Sequence, residues 1–396
     1  MRKRTKVVLV QCVCPHYRVP VFKKLAEVVD LKLYYGKGEK KGALKNAENI
    51  EGFDRQELFS IVIKFRFRDI YFRFVFSPTL LFHICQDYPD VIISEGITNI
   101  INLVFIWFYC KLCKVGLIVW DSGRRKEKPK SIFRKLIEPL YVLILKQAKA
   151  IIAYGTVAKD YFLSLGIEAE KIFIAQNTIG VEKCLRELEK LKKDSSKIEE
   201  KRRILGLKNK KVILYVGALE KRKRVENLIV VFEKLKREVP NIVLLIIGDG
   251  PERARLERLV SVRKISSCFF LGEVIEGVST YFLLCDVFVQ PGWNSLAIIE
   301  AMAYEKPVVT VSYGGPEYEI IENNKDGIIV RRDDIEQLKK SILKILKDNT
   351  FAENMGKLAQ HKVKSLTLDN MIQGFVNAIK YAKNTLRRDG NENIIN

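Results

Sequence analysis

The chain reads as an α/β protein built from two doubly wound parallel sheets, and three observations predict this. Short apolar runs recur along its 396 residues, most of them followed by a segment of helical period. The pattern lapses in a charged stretch beginning near Gly180 and restarts at Val212. The length also exceeds what one ordinary core accommodates, so two domains are expected.

The first half opens with a strand, Val7–Cys12, then a loop holding Cys14-Pro15-His16-Tyr17-Arg18, and a helix near Val21–Val29. Strands follow at Leu31–Tyr35, Val91–Ser94, Leu117–Trp120, Ala150–Ala153 and Ile172–Ala175, with helices between. From Gly180 the chain becomes charged helix with an Asp194-Ser195-Ser196 break, which reads as a linker. The second half sets a strand at 212–217, an amphipathic helix at Val225–Val239, and a buried strand at 242–250 ending in Gly248-Asp249-Gly250. Glu252–Val260 is a helix and 268–274 a strand. Val287–Gln290, a helix from Ser295 to Tyr304, and Val308–Val311 come next, and helices continue to about Arg387. The expected division is residues 1–179, a linker at 180–210, a second domain at 211–365, and a last helix with a frayed polar tail at 366–396.

Composition removes several classes. A hydrophobic content of 48% excludes general disorder. The eight cysteines stand at irregular positions, several inside apolar runs, so reduced, buried thiols are expected rather than a disulfide framework. Cys110-x2-Cys113 has no second pair, and no metal site is expected. The basic start before Val7 could pass for a signal peptide, but its apolar run is short and ends in Pro15-His16-Tyr17-Arg18; a strand explains it better. The longest apolar stretch, Ile97–Cys110, is interrupted by Asn99 and Asn102 and falls short of the ~20 residues that span a bilayer. A cytoplasmic protein is expected. Its net charge of +22 calls for an anionic partner. Basic residues interleave with aromatics at 61–74, and recur from Arg124 to Lys135 ahead of an apolar helix. These segments read either as wet strand and core helix or as the margin of an interfacial surface. The second reading predicts docking on an anionic membrane surface.

The densest signal lies between Leu284 and Val330. A strand ends in Pro291-Gly292-Trp293-Asn294-Ser295, whose backbone N–H groups at a helix start form a natural seat for phosphate. Glu300 sits inside that otherwise apolar helix, where a carboxylate is costly without partners. At Lys221-Arg222-Lys223-Arg224 four consecutive cations lie between a buried strand and a helix, placed to gather anions. In the first half, His16 and Arg18 occupy the first strand-to-helix loop, and Glu95 and Asp121 end two further strands. All four suit an acceptor carrying sugar or phosphate groups.

The stretch resembles the donor-sugar motif of the retaining family 4 glycosyltransferases. The resemblance rests on Pro291, Leu296, Glu300-Ala301-Met302-Ala303, Pro307-Val308-Val309, Gly314-Gly315, Glu319-Ile320-Ile321 and Asp326-Gly327. It is specific over roughly residues 205–345. It implies a GT-B architecture: two Rossmann-like domains with parallel sheets facing a central cleft, the last helix returning to the first domain. It further implies that Glu300 binds ribose hydroxyls and that Lys223, with Arg222 or Arg224, holds the donor diphosphate. Gly217 and Gly248 would shape the floor, Gly272 and Glu273 would meet the nucleobase, and Asn177 would stand near the donor. Gly292, Trp293, Asn294, Ser295 and Leu296 would complete the donor side. The chain departs from the family pattern where Gly292 replaces a glutamate, Ala218 an arginine and Ser122 a histidine.

The reading is a retaining glycosyltransferase whose catalytic residues are Lys223, Arg222 and Glu300. It would move sugar from a nucleotide diphosphate sugar to a lipid-linked or membrane-associated glycan without a metal or other cofactor. The expected place is the inner face of the cell membrane, with no nucleic acid as partner. A nucleotide-sugar epimerase of the same fold and a basic, non-catalytic binding protein are the alternatives.

Overall fold

A computed structural model describes residues 4–39, 45–67, 70–123, 132–274, 276–293, 295–315 and 317–395, without the side chains of 64–67, 70–73, 132–135 and 387–395. The chain divides into two units. The first runs to Asn177 and resumes at Leu368; the second is Thr178–Thr367.

The first unit begins with β1 (Lys6–Gln11), α1 (Val19–Ala26), β2 (Asp30–Gly36) and β3 (Asp54–Leu58). An antiparallel hairpin, β4 (Ile61–Phe67) and β5 (Ile70–Phe76), leads to α2 (Leu80–Asp87). There follow β6 (Val91–Glu95), α3 (Ile100–Cys113), β7 (Gly116–Asp121), α4 (Ile132–Gln147), β8 (Ala150–Ala153), α5 (Thr156–Ser164) and β9 (Ile172–Ile174). The main sheet is parallel throughout, in the order β3-β2-β1-β6-β7-β8-β9. Alternation fixes its two faces. Val7 and Leu9 point into one apolar layer, and Val8 and Val10 into the other. The first layer is completed from the far end of the chain, by Met371, Phe375, Ala378 and Ile379.

The second unit starts with α6 (Val181–Lys193) and α7 (Ser196–Ile204). The charged stretch is helical as expected, in two helices that part at the Asp194-Ser195 break, and it belongs to this unit. Val181, Cys184 and Leu188, spaced three and four apart, bury one stripe of α6 in this unit's core while the charges stay outside. Then come β10 (Lys211–Val216), α8 (Val225–Lys236), β11 (Ile242–Ile247), α9 (Arg253–Val262), β12 (Cys268–Gly272), α10 (Val278–Leu284) and β13 (Val287–Gln290). They are followed by α11 (Ala297–Ala303), β14 (Val308–Val311), α12 (Glu317–Ile320), β15 (Ile328–Val330), α13 (Ile335–Lys347) and α14 (Asn349–Val363). The sheet is again parallel, in the order β12-β11-β10-β13-β14-β15. The final helix, α15 (Leu368–Ile395), packs on α1 and on β7, β8 and β9 of the first unit, and Lys24 pairs with Asp369 at 2.8 Å. This helix runs to Ile395.

A donor-type site at the strand ends of the second unit

The strand order reverses between β10 and β13, and it is outside the carboxyl ends of strands at such a switch point that open parallel sheets bind ligands. Both sequence motifs emerge there: Gly217–Arg224 after β10 and Pro291–Leu296 after β13. The floor is backbone. Gly217 N–H donates to the Ile247 carbonyl (3.0 Å), Gly248 N–H to that of Gly272 (2.7 Å), and Leu219 N–H to that of Asp249 (3.0 Å). A Cβ on Gly248 would lie 2.0 Å from the Gly217 oxygen, so the strand ends close this tightly only with glycine. Asp249 is structural: its Oδ1 accepts the Gly250 N–H.

The two loops are bonded to each other. Lys223, 5% exposed, donates from Nζ to the Trp293 carbonyl at 2.9 Å. Gln290 Nε2 donates to the same oxygen at 3.1 Å, and Ser295 Oγ donates to Gln290 Oε1 at 2.9 Å. In return the Trp293 N–H donates to the Arg222 carbonyl at 2.9 Å. This corrects the expectation of a phosphate seat at residue 293, because that amide already serves the loop. The helix also begins at Ala297 rather than Ser295, and Leu296 packs against the core. Asn294 lies outside the described residues. The contact explains the missing glutamate too. A Cβ at Gly292 would stand 2.3 Å from the Lys223 carbonyl carbon and oxygen and 2.6 Å from the Arg222 oxygen. The lysine loop occupies the space a side chain at 292 would need.

Cations surround this junction. Arg222 is half-exposed, pairs with Glu220, and holds its guanidinium 5.8 Å from the Trp293 ring centre. Trp293 in turn meets Tyr313 at 5.8 Å, and Arg332 lies 5.0 Å from the Tyr313 ring. Arg224, the other candidate for the missing family arginine, points its Nε at Asp333, 3.7 Å away. Of the two arginines, the one against the Trp293 ring is therefore Arg222.

Glu300 lies half-buried on α11, facing α6. Burial first, and then the Glu187 carboxylate, push its carboxyl up to about 7, against the opposing pull of Lys183. Glu187 accepts from the Tyr304 hydroxyl at 2.9 Å. Sequence reasoning passed over Lys183 and Glu187, although their spacing of four on a charged helix was a visible signal. It also passed over Gln290 and Glu317. The fully buried Glu317 carboxylate accepts the Tyr313 and Gly315 N–H groups and so shapes the Gly-Gly loop. Glu273 is exposed beyond β12.

In the first unit the strand order reverses between β1 and β6. Glu95 bridges that point, its Oε2 accepting the Cys12 N–H at 2.8 Å. Burial raises its carboxyl above the usual range, opposed by that amide and by Arg18. Arg18 is 5% exposed. Its guanidinium lies 3.9 Å from the Trp120 ring centre, and Nη2 donates to the Tyr154 hydroxyl at 2.7 Å. His16, by contrast, is exposed, its ring edge-on to Tyr17. Asp121 differs from the expectation of a carboxylate turned to an acceptor. Oδ2 accepts from Tyr141 (2.7 Å) and the Ile97 N–H (2.9 Å), and Oδ1 accepts the Gly123 N–H (2.8 Å). Asn177 belongs to this unit. Its N–H donates to the Tyr154 carbonyl, and its Oδ1 is buried without a hydrogen bond. Among the described residues, no group of three or more His, Cys, Asp or Glu side chains is placed to hold a metal ion.

Comparison with known proteins agrees with this geometry. Residues 197–362 match the family described as Glycosyl transferases group 1. An uncharacterized glycosyltransferase of Methanocaldococcus jannaschii is 26% identical over 273 residues, 66% of this chain and 67% of that protein. The alpha-monoglucosyldiacylglycerol synthase of Acholeplasma laidlawii is 28% identical over 166 residues, 40% of this chain and only 41% of that protein. A crystal structure of Anabaena Alr3699/HepE in complex with UDP superposes with a TM-score of 0.73 at 15% identity, over 94% of this chain and 98% of that one, a likeness of fold. Two parallel α/β units and this family match lead to one assignment: the chain carries a group 1 glycosyl transferase domain of the family 4 type on a GT-B fold.

Proposed function

We propose that the protein transfers a sugar from a nucleotide diphosphate sugar, with retention of anomeric configuration, to a lipid-linked or membrane-associated glycan at the inner face of the cell membrane. The observation that carries the donor half is the bonded pair of loops at the β10/β13 reversal, where Lys223 holds the Trp293 carbonyl and Arg222 and Arg332 lie against the Trp293 and Tyr313 rings. A departing diphosphate develops negative charge, and preorganised cations there stabilise it without reorganisation. Lys223, fixed through Trp293, sets the geometry; Arg222 brings the more mobile charge. Glu300 hydrogen-bonds the ribose. No metal takes part in this scheme. Retention follows if the acceptor attacks the face from which the phosphate leaves and that phosphate oxygen takes the acceptor proton.

The acceptor half rests on Arg18 and Glu95 in the first unit and on a relative whose name describes a glucosyl lipid product. An epimerase would need acid and base side chains, and both Asp121 oxygens are already committed to hydrogen bonds. The test is incubation with a panel of nucleotide sugars, with and without membrane lipid extract, reading nucleoside diphosphate release. Release that requires the extract supports transfer. Conversion of the donor to an isomer supports the epimerase, and the absence of nucleotide-sugar binding refutes both.

A further inference from the structure

The helix α3 is unusual for a surface helix: from Ile100 to Cys110 it carries no charged residue, yet part of it faces solvent. Phe105, Phe108 and Leu112 lie on one side at helical spacing, 43%, 52% and 83% exposed. The neighbouring helix α4 repeats the arrangement with exposed Leu136, Leu140 and Leu143. The hairpin extends the surface. The Phe76 ring on β5 lies 5.5 Å from that of Phe105, and exposed Ile61 and Ile63 stand opposite Phe76 and Phe74. An apolar expanse shared by two helices and a hairpin is larger than scattered surface leucines explain.

We propose that this face inserts into the interface of an anionic bilayer. The proposal rests on the membrane-associated acceptor reading and assigns it a surface. Charge decides the occupant. The hairpin sequence carries Lys64, Arg66, Arg68 and Arg73 against Asp69 alone, and the run ahead of α4 carries seven lysines and arginines, between Arg124 and Lys135, against Glu127 alone. Lys111 and Lys146 are exposed in the last turns of α3 and α4, beside the apolar rows. A second copy docking through the same face in a two-fold pair would bring these like charges together. An anionic lipid surface neutralises them while accepting the phenylalanines and leucines. No helix among the described residues is long and apolar enough to cross a membrane, so the contact lies in the interface plane.

The test is co-sedimentation of the full chain with vesicles of phosphatidylcholine alone and with about 30% phosphatidylglycerol added. Wild type sediments with the anionic vesicles, and raising the salt releases it. The double variant Phe108→Ser, Leu112→Ser alters only exposed side chains and loses about tenfold or more in partitioning. The control Val262→Ser, Leu358→Ser, on exposed positions of the second unit, does not change it. Thermal unfolding of both variants checks their folding. No binding to either vesicle, or equal binding by the α3 variant, overturns the proposal. So does a wild-type dimer in light scattering that the α3 variant converts to monomer without any vesicle binding. Nucleotide-sugar binding, followed separately by thermal shift, reports on the enzyme reading. Vesicle binding without it supports the surface and counts against the transferase.

Discussion

Replacing Gly292 with glutamate restores the pattern of family 4 and should damage the site. A Cβ there stands 2.3 Å from the Lys223 carbonyl carbon and oxygen, where ordinary contact begins near 3.4 Å, so backbone must move by about an ångström. That displacement breaks the Trp293 N–H bond to Arg222 and the Lys223 ammonium bond to Trp293. One neutral and one charged hydrogen bond, at about 1 and 1.5–3 kcal/mol, add to about 1–3 kcal/mol of overpacking. Allowing for relaxation, the loss is about 3–5 kcal/mol, or roughly 10 °C in melting temperature for a unit of this size. Gly292→Ala isolates the steric part, because it adds the Cβ and no charge. The assay is thermal unfolding of wild type, Gly292→Ala and Gly292→Glu, followed by nucleotide-sugar binding. If alanine melts within a degree or two of wild type and binds donor equally, the packing argument is wrong.

Glu300→Gln should flatten a pH dependence. The carboxyl keeps its proton up to about 7 in the folded chain, against 4.5 ordinarily, so folding binds a proton between these values. Stability is fully favourable below 4.5 and falls as pH rises through that window, by at most about 3 kcal/mol. Melting curves at pH 5 and pH 8 should differ more in wild type than in Glu300→Gln, and equal differences would count against it. Glu317→Ala strips two backbone amides of a buried carboxylate and should cost about 2–4 kcal/mol in urea unfolding, whereas a neutral result would show that the Gly-Gly loop holds its own shape. Gly96→Ala sets a Cβ 1.8 Å from Asp121 Oδ2 and should lower the urea midpoint by an amount worth about 2–3 kcal/mol; an unchanged midpoint would mean that the Asp121 loop yields freely.

The second sheet was the most legible part of the sequence. Its inner strands are buried on both faces, so Val287-Phe288-Val289 and Val308-Val309 stand out as short apolar runs beside Pro291-Gly292 and Pro307. The edge strand β3 was not legible. Asp54-Arg55-Gln56-Glu57 needs no apolar side because most of it faces water. Helix α6 was legible as a charged helix, but its place in the second unit's core was not, because its charges outnumber its three buried positions. At the candidate site, residue types were readable and commitments were not. That Lys223, Arg222 and Gly292 belong together could be seen by resemblance. That the Trp293 amide is spent on Arg222, or that Asp121 holds Gly123 and Ile97, depends on backbone direction, which no local pattern encodes.

The first unit takes residues from both ends of the chain, and this sets an order for its making. A ribosome delivers the whole second unit by Thr367, while the first sheet still lacks Met371, Phe375, Ala378 and Ile379 over one face. Trp120, whose ring meets that of Phe375 at 4.8 Å, stays uncovered until the last helix has emerged. The early half of the protein is thus the later to close. In that interval its apolar layer is the part of the molecule most in need of a chaperone.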